Sequence, residues 1–251
     1  MHLTGKEQQA KGRVYFALDN MDSVDDAVNL AEELSDYVGG IKIGKELNQM
    51  SMNEGRNIIR EINKKGVEIF LDLKLHDTPN TVFRSAYWCS VPGVSMFNIH
   101  IAGGEEMCKK AIEGSYEGAN IHEIARSKVI GVTVLTSLDD NDLKVQGLNI
   151  KYDDLVRRRT ELAIKWRLDG IVCPANKAGQ LEKEFGSTLL YVTPGIEWKG
   201  KKGAGQKQLY TPGQAVNDCN NSILILGSAI TKAENRKRTA YEILEDMAKY
   251  I

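Results

Sequence analysis

Short apolar runs rich in β-branched residues recur along the chain, and a polar segment of helical length follows each of them. Their hydrophobicity is continuous rather than alternating, which is typical of buried parallel strands. The pattern predicts eight strands, at residues 14–18, 40–43, 68–73, 94–99, 128–134, 168–173, 189–192 and 222–226.

The intervening segments have the apolar spacing of amphipathic helices. Ser23 is a plausible N-cap for a first helix at residues 24–34, with Val24, Ala27, Val28 and Leu34 on its apolar face. Further helices are predicted at residues 54–65, 104–113, 153–167, 177–184 and 233–250.

Alternating strands and helices predict a parallel sheet. Eight such units in 251 residues favour a single-domain (β/α)8 TIM barrel over an open, doubly wound sheet. The first strand ends in Ala17-Leu18-Asp19-Asn20-Met21 and lacks the glycine cradle that is typical of the open sheet. We therefore predict a barrel domain at residues 13–251, preceded by a polar N-terminal extension at residues 1–12.

Composition narrows the possible partners. The net charge of −1 gives no overall electrostatic basis for binding nucleic acid or a membrane, so any anionic ligand must be held by local charge. The four cysteines lie far apart without a CxxC pair, which favours neither a disulfide framework nor a zinc site. No stretch has the length and hydrophobicity of a signal peptide or a membrane span, so a cytoplasmic location is expected.

Charged residues occur where the predicted strands end. Asp19 ends the first strand, Lys42 lies in the second, and Asp72 and Lys74 lie in the third. Asp72 and Lys74 are two residues apart and so share one face of an extended strand, while residues 71, 73 and 75, all leucines, face the helices. Because active sites of such barrels lie at the C-terminal ends of the strands, we predict a charged functional cluster there. A salt bridge near the surface is the alternative for an isolated D-x-K pair.

The segment at residues 72–81, Asp-Leu-Lys-Leu-His-Asp-Thr-Pro-Asn-Thr, resembles the signature D-x-K-x-x-D-I-P-x-T of the orotidine 5′-monophosphate decarboxylase family. The resemblance extends in chain order from the first strand to the eighth, through residues 17–19, 42–44, 98–104, 132–137, 192–196 and 227–234. It implies cofactor-independent loss of CO₂ from C6 of orotidine 5′-monophosphate to give UMP, a step of de novo pyrimidine biosynthesis.

The resemblance also implies residue roles. Lys74 would stabilise the C6 carbanion and protonate it, which an ammonium can do and an arginine, with its high pKa, hardly can. Asp72 would lie near the departing carboxylate and would hold Lys74 charged and oriented. Asp77 and Thr81 would reach across a homodimer interface, so that Lys42, Asp72, Lys74 and Asp77 alternate in sign.

The substrate-binding residues implied by the resemblance surround these charges. Asp19 and Lys42 would bind the ribose hydroxyls, and Thr136 or Ser137 would read the pyrimidine. Thr78 stands near the pyrimidine, where the signature usually has isoleucine. The implied set is completed by Pro194, Gln206, Gly227 and Ser228. His76 and His100 receive no role.

The phosphate end departs from the family pattern. The strand-eight motif G-R-x-I is Gly227-Ser228-Ala229-Ile230 here, so Ser228 replaces the arginine that clamps the phosphate. Where many bacterial members carry a second arginine, this chain has Glu197. One possibility is a lysine clamp in the glycine-rich loop, from Lys199, Lys201, Lys202 or Lys207. A second possibility is that this loop is an ordinary solvated loop. A third is that nothing replaces the arginine, which would weaken phosphate binding by about 1.5–3 kcal/mol.

Two alternatives come from other functional classes. Magnesium-dependent hexulose-phosphate synthases and ketogulonate-phosphate decarboxylases share D-x-K-x-x-D but place a glutamate at the end of strand two. Lys42 stands there in this chain, and a cationic lysine cannot ligate magnesium. The other alternative is a catalytically impaired barrel that acts as a binding protein. Against it stands the cost of burying four charges that such a protein would not need.

Overall fold

The apolar runs form eight parallel strands that close into one barrel, in which β8 pairs with β1. The structure, a computed structural model, describes residues 3–196, 198 and 210–251. The (β/α)8 prediction is confirmed. The strands are Val14–Leu18 (β1), Gly40–Gly44 (β2), Glu68–Leu75 (β3), Val94–His100 (β4), Lys128–Val132 (β5), Gly170–Val172 (β6), Leu190–Thr193 (β7) and Ser222–Leu226 (β8).

Helices surround the barrel. Ser23 caps the first predicted helix, because its hydroxyl accepts a hydrogen bond from the Asp26 N–H at 3.1 Å. Within the described residues the helices are Gly5–Gly12 (α1), Val24–Leu34 (α2), Lys45–Asn53 (α3), Ile58–Asn63 (α4), Pro79–Cys89 (α5), Glu105–His122 (α6), Asp140–Val145 (α7), Tyr152–Lys165 (α8), Ala175–Phe185 (α9), Pro212–Asp218 (α10), Ser228–Thr231 (α11) and Arg236–Ala248 (α12).

The helix predicted at residues 54–65 is wrong in its first four residues. Helix α3 ends at Asn53, and Gly55 adopts a left-handed φ of 66°, which a glycine tolerates and which stops a helix. A new helix begins only at Ile58, capped by the side chain of Asn57. Sequence patterning also missed α3, α5 and the short helices α1, α7, α10 and α11.

The N-terminal segment packs against the C-terminal end of the chain. Thr4 and Glu7 form a capping box that starts α1, and Tyr241 on α12 donates a hydrogen bond to Glu7 at 3.1 Å. Arg13 donates to the carbonyl oxygens of Cys219 at 2.6 Å and Ser222 at 3.1 Å. These contacts join the first strand to the last at the N-terminal end of the barrel.

Apolar side chains form two layers. The larger layer lies between strands and helices and includes Leu71, with Leu73 and Leu75 packed against it. The smaller layer fills the barrel interior and includes Phe70, Met96, Ile130, Val192 and Ile225. Phe70 points inward, so Asp72 continues the inward face two residues later, as the alternation predicts. The interior therefore changes from apolar to charged toward the C-terminal end of β3.

All four cysteines are buried and unpaired. In the portion of the chain that is described, no helix is long and apolar enough to cross a membrane.

Candidate active site

A pocket of about 520 Å³ opens at the C-terminal ends of the strands. This volume is in the range of sites for small molecules. Its apolar floor comes from the barrel interior, and its polar wall contains Asp19, Asn20, Lys42, Asp72, Lys74, Asn98, Thr136, Ser228, Thr231 and Lys232.

The charged cluster that the sequence predicts is present on this wall. Lys42 Nζ donates a hydrogen bond to Asp19 Oδ1 at 2.8 Å and lies 3.2 Å from Asp72 Oδ2. Lys74 Nζ donates to Asp72 Oδ1 at 2.6 Å. The side chains of Lys42 and Asp72 are only 8% and 13% exposed, so the alternative of a surface salt bridge is wrong.

The ion pairs keep these groups charged. Burial alone would raise the pKa of Asp72, but the Lys42 and Lys74 ammonium groups outweigh it and lower that pKa. Burial alone would lower the pKa of Lys42, yet Asp72 and Asp19 raise it above its usual value. At neutral pH the pocket therefore presents alternating fixed charges of both signs.

Strand β3 is irregular where it carries these charges. Leu71 pairs with Phe97 and Leu75 pairs with Ile99, so three residues of β3 lie opposite the single residue Asn98 of β4. Within this bulge Lys74 has a left-handed φ of 49°. For a residue with a side chain this conformation costs about 1–3 kcal/mol and persists only where its surroundings enforce it.

Asn98 supplies the missing contacts opposite the bulge. Its Oδ1 accepts a hydrogen bond from the Lys74 backbone N–H at 2.6 Å, and its Nδ2 donates to Asp72 Oδ1 at 2.7 Å. The residue is 1% exposed. Sequence analysis gave it no role, although a polar asparagine inside the apolar run of β4 was a usable signal.

The other residues implied by the resemblance divide into three groups. Asp19, Thr136, Pro194, Gly227 and Ser228 line the pocket with Lys42, Asp72 and Lys74. Gln206, Glu197 and the four loop lysines lie outside the described residues. Among described residues, the pocket wall does not include Asp77, Thr78, Thr81 or Ser137, all of which are exposed.

Asp77, Thr78 and Thr81 form a small group of their own at the start of α5. Asp77 Oδ1 accepts a hydrogen bond from the Thr78 N–H at 2.6 Å, and the Thr78 and Thr81 hydroxyls lie 3.0 Å apart. The group is solvent-exposed in the single chain, so no described residue of this chain covers it.

The wall contributed by β8 carries a cation that sequence analysis did not single out. Short helix α11 starts at Ser228, and the Lys232 N–H donates to the Ser228 carbonyl oxygen at 3.2 Å. Ser228 and Lys232 are thus one helical turn apart on the same side and both line the pocket. Within the described residues, the cationic side chains on the pocket wall are Lys42, Lys74 and Lys232.

His76 and His100 lie against each other beside the site, with ring centroids 5.3 Å apart and planes tilted by 38°. Burial, helped by electrostatic interactions with the neighbouring His76 and Lys74, lowers the pKa of His100 to about 4. His100 is therefore neutral at physiological pH and serves as a packing group rather than a cation.

No group of three or more His, Cys, Asp or Glu side chains that could hold a metal ion occurs in residues 3–196, 198 and 210–251. The acidic groups of the pocket, Asp19 and Asp72, are instead occupied by lysine ammonium groups.

A parallel (β/α)8 barrel with alternating lysines and aspartates at the ends of β1, β2 and β3 defines the class: a barrel protein with an enzyme-type site for a small anionic ligand. A profile of the orotidine 5′-phosphate decarboxylase / HUMPS family matches residues 12–243. The chain belongs to this family.

Individual relatives narrow the comparison. An orotidine 5′-phosphate decarboxylase of Saccharophagus degradans is 35% identical over 94% of this chain and 95% of its own length. One of Ligilactobacillus salivarius is 39% identical over 78% of this chain and 80% of its own. The crystal structure of orotidine 5′-phosphate decarboxylase from Lactobacillus acidophilus superposes with a TM-score of 0.77 at 29% identity, covering 93% of this chain and 98% of that one.

Proposed function

We propose that this protein is a carboxy-lyase that decarboxylates orotidine 5′-monophosphate to UMP in pyrimidine biosynthesis. The observation that carries the proposal is the buried Lys42–Asp72–Lys74 array, held inside a pocket of substrate size. The family match and the curated relatives, which carry the name of this activity, support the same conclusion.

The chemistry requires positive charge and a proton at one carbon atom. When the bond from C6 to the carboxylate breaks, CO₂ leaves and the electron pair remains on C6. The Lys74 ammonium stabilises that carbanion and transfers a proton to C6, and the resulting amine regains a proton from water. Asp72 accepts a hydrogen bond from Lys74 Nζ at 2.6 Å and so holds the ammonium in place. The step therefore needs no metal or organic cofactor.

The rest of the pocket orients the substrate. We assign the ribose hydroxyls to Asp19 and Lys42, and the pyrimidine to the wall around Thr136. Pro194 and Gly227 bound the pocket on the β7 and β8 sides. Barrel enzymes commonly bind phosphate after strands seven and eight, beside a short extra helix, and α11 is such a helix.

Lys232 is our assignment for the phosphate-binding cation. Lys232 lies one helical turn after Ser228, which stands at the position of the family's arginine, and both residues line the pocket. It is the described cation on the β8 side of the pocket wall, whereas Lys42 and Lys74 lie on β2 and β3. The loop containing Gln206 and the four lysines adjoins this region in sequence and lies outside the described residues.

We further propose a homodimer in which Asp77 and Thr81 complete the neighbouring protomer's site. Both are charged or polar, follow the catalytic strand β3, and are not among the described residues that line the pocket of their own chain. The proposed location is the cytoplasm, in keeping with four unpaired cysteines. The low net charge of −1 supports neither nucleic acid nor membrane as a partner.

The two alternatives are less well supported. A magnesium-dependent sugar-phosphate enzyme needs a carboxylate where Lys42 lies, and Lys42 is already bound to two aspartates. A catalytically impaired binding protein would have no use for the buried charges, whose desolvation costs several kcal/mol each.

The test follows the loss of orotidine 5′-monophosphate absorbance in EDTA. We expect turnover that Lys74→Ala abolishes and that Lys232→Gln preserves with a KM raised about 10-fold or more, as loss of a charge-assisted contact predicts. Lys237→Gln, on the exposed surface of α12, is the matched control and should behave as wild type. No turnover by the wild-type chain would reject the decarboxylase proposal. An unchanged KM in Lys232→Gln would reject only the phosphate assignment.

A further inference from the structure

Asn98 bridges two groups of the charged array that have opposite requirements. The Lys74 backbone N–H can only donate a hydrogen bond, and the ionised Asp72 carboxylate can only accept one. A side-chain amide has both an acceptor and a donor, and Asn98 uses them at 2.6 and 2.7 Å. The chemistry of the two partners therefore fixes the orientation of the amide.

The location of Asn98 explains why the bridge is needed. It is the single residue of β4 opposite the three-residue bulge of β3, so the Lys74 N–H has left the regular strand ladder. The left-handed φ of 49° at Lys74 depends on another acceptor for that N–H. Asn98 is 1% exposed, so this acceptor is a buried side chain rather than bulk solvent.

The same side chain also determines the position of Asp72. Asp72 Oδ1 accepts from both Asn98 Nδ2 and Lys74 Nζ, while Oδ2 faces Lys42. The amide thus prevents the carboxylate from rotating away from Lys74. Asn98 therefore holds the Lys74 backbone directly, and it holds the Lys74 ammonium through Asp72.

We propose that Asn98 is a positioning residue: it maintains the bulge of β3 and orients Asp72, and so places the Lys74 ammonium at the reacting carbon. The proposal rests on the decarboxylase function proposed above and adds a residue to its machinery. Asn98 acts through Lys74 and Asp72 rather than on the substrate.

A positioning role predicts different kinetic effects for two substitutions of Asn98. Asn98→Ala removes both hydrogen bonds, and a displacement of Lys74 of the order of 1 Å should lower kcat about 100-fold. Affinity for UMP should change little, since Asp19, Lys42 and the β8 wall remain. Asn98→Asp places a second carboxylate against Asp72, and at neutral pH like-charge repulsion should lower kcat further.

Protonation should partly rescue Asn98→Asp, because a neutral carboxylic acid has an O–H that donates to Asp72 and a carbonyl that accepts from Lys74. The charged groups nearest this position are Asp72 and Lys74 on β3 and Lys42 on β2, and the titratable His100 lies at the end of β4. The ratio of kcat for Asn98→Asp to kcat for wild type should therefore rise as the pH falls. The corresponding ratio for Asn98→Ala should stay flat.

The experiment measures kcat, KM, UMP affinity and thermal stability of wild type, Asn98→Ala and Asn98→Asp from acid to neutral pH. Ser95→Ala is the matched control, since Ser95 lies on the same strand and bonds the Ile69 carbonyl of β3 at 3.2 Å, but at the far end of the barrel. It should lose stability without losing kcat. Wild-type kcat in both Asn98 variants, or a flat ratio for Asn98→Asp, would overturn the positioning role. Inactive wild-type protein would instead reject the proposed function.

Discussion

At the scale of single residues, the site is governed by how burial and neighbouring charge compete. Asp72 and Lys42 are buried but compensate each other, so both remain charged. His100 is half-buried among positive groups and has no such compensation, so its pKa is lowered to about 4. The result is a neutral ring next to a fully charged array.

His100 should make the protein sensitive to acid. Its pKa is about 4 in the folded protein, against an ordinary value of 6.5. Between pH 4 and pH 6.5, therefore, His100 is protonated in the unfolded chain but not in the folded protein. Stability should be complete above pH 6.5 and fall as the pH drops toward 4, by at most about 3 kcal/mol. Urea unfolding at several pH values measures this.

His100→Gln should flatten that part of the acid slope, while His122→Gln, an exposed histidine on α6, should keep the wild-type slope. Parallel slopes for wild type and His100→Gln would contradict the assignment.

At the scale of elements, close packing of α5 against α6 fixes the segment that carries Asp77 and Thr81. Gly114 and Gly118 lie one turn apart on α6, facing the backbone of α5. A Cβ atom on Gly114 would lie 2.2 Å from the Phe83 carbonyl oxygen, and one on Gly118 2.3 Å from that of Tyr87. No side chain fits between the two helices at these points.

Gly114→Ala and Gly118→Ala should therefore push the helices apart and each destabilise the fold by about 1–3 kcal/mol. Gly5→Ala on α1 is the control, because nothing lies within 4 Å of its added Cβ, and alanine is the better helix former. Urea denaturation compares them. Equal stability of Gly114→Ala and wild type would mean that α6 shifts without cost.

At the scale of the whole molecule, the proposed dimer determines whether the site is complete. In one chain the charges run Asp19, Lys42, Asp72 and Lys74, and the exposed Asp77 is available to a neighbour. If each site contains residues of both protomers, two variants inactivated at different residues can form a mixed dimer with one intact site.

Mixing Lys74→Ala with Asp77→Asn should restore activity that neither variant has alone. In a mixed two-fold dimer one site receives both mutations and the other none, so random exchange gives about a quarter of the sites intact. Activity after co-refolding measures this, and sedimentation gives the oligomeric state. Lys74→Ala mixed with Asp72→Asn is the control, because both residues lie in the same half of the site and no shared site becomes complete. Absence of recovery in the first mixture would reject the shared site.

Local pattern determined much of this protein. Continuous apolar runs determined all eight strands, because burial on both faces leaves a recognisable composition, and strand alternation put Asp72 and Lys74 on one face. Because active sites of such barrels lie at the C-terminal ends of the strands, the charged residues at these ends then predicted the cluster. The break at Gly55 was misread because one left-handed glycine overrides helical spacing.

Only the tertiary structure decided the rest. The left-handed Lys74, the bridge from Asn98 and the convergence of Lys232 on the pocket depend on the register between β3 and β4 and on the closure of β8 onto β1. These are contacts between segments far apart in the chain, and no local periodicity encodes them. Local sequence thus determined which residues carry charge at the strand ends, and the closed barrel determined which of them touch.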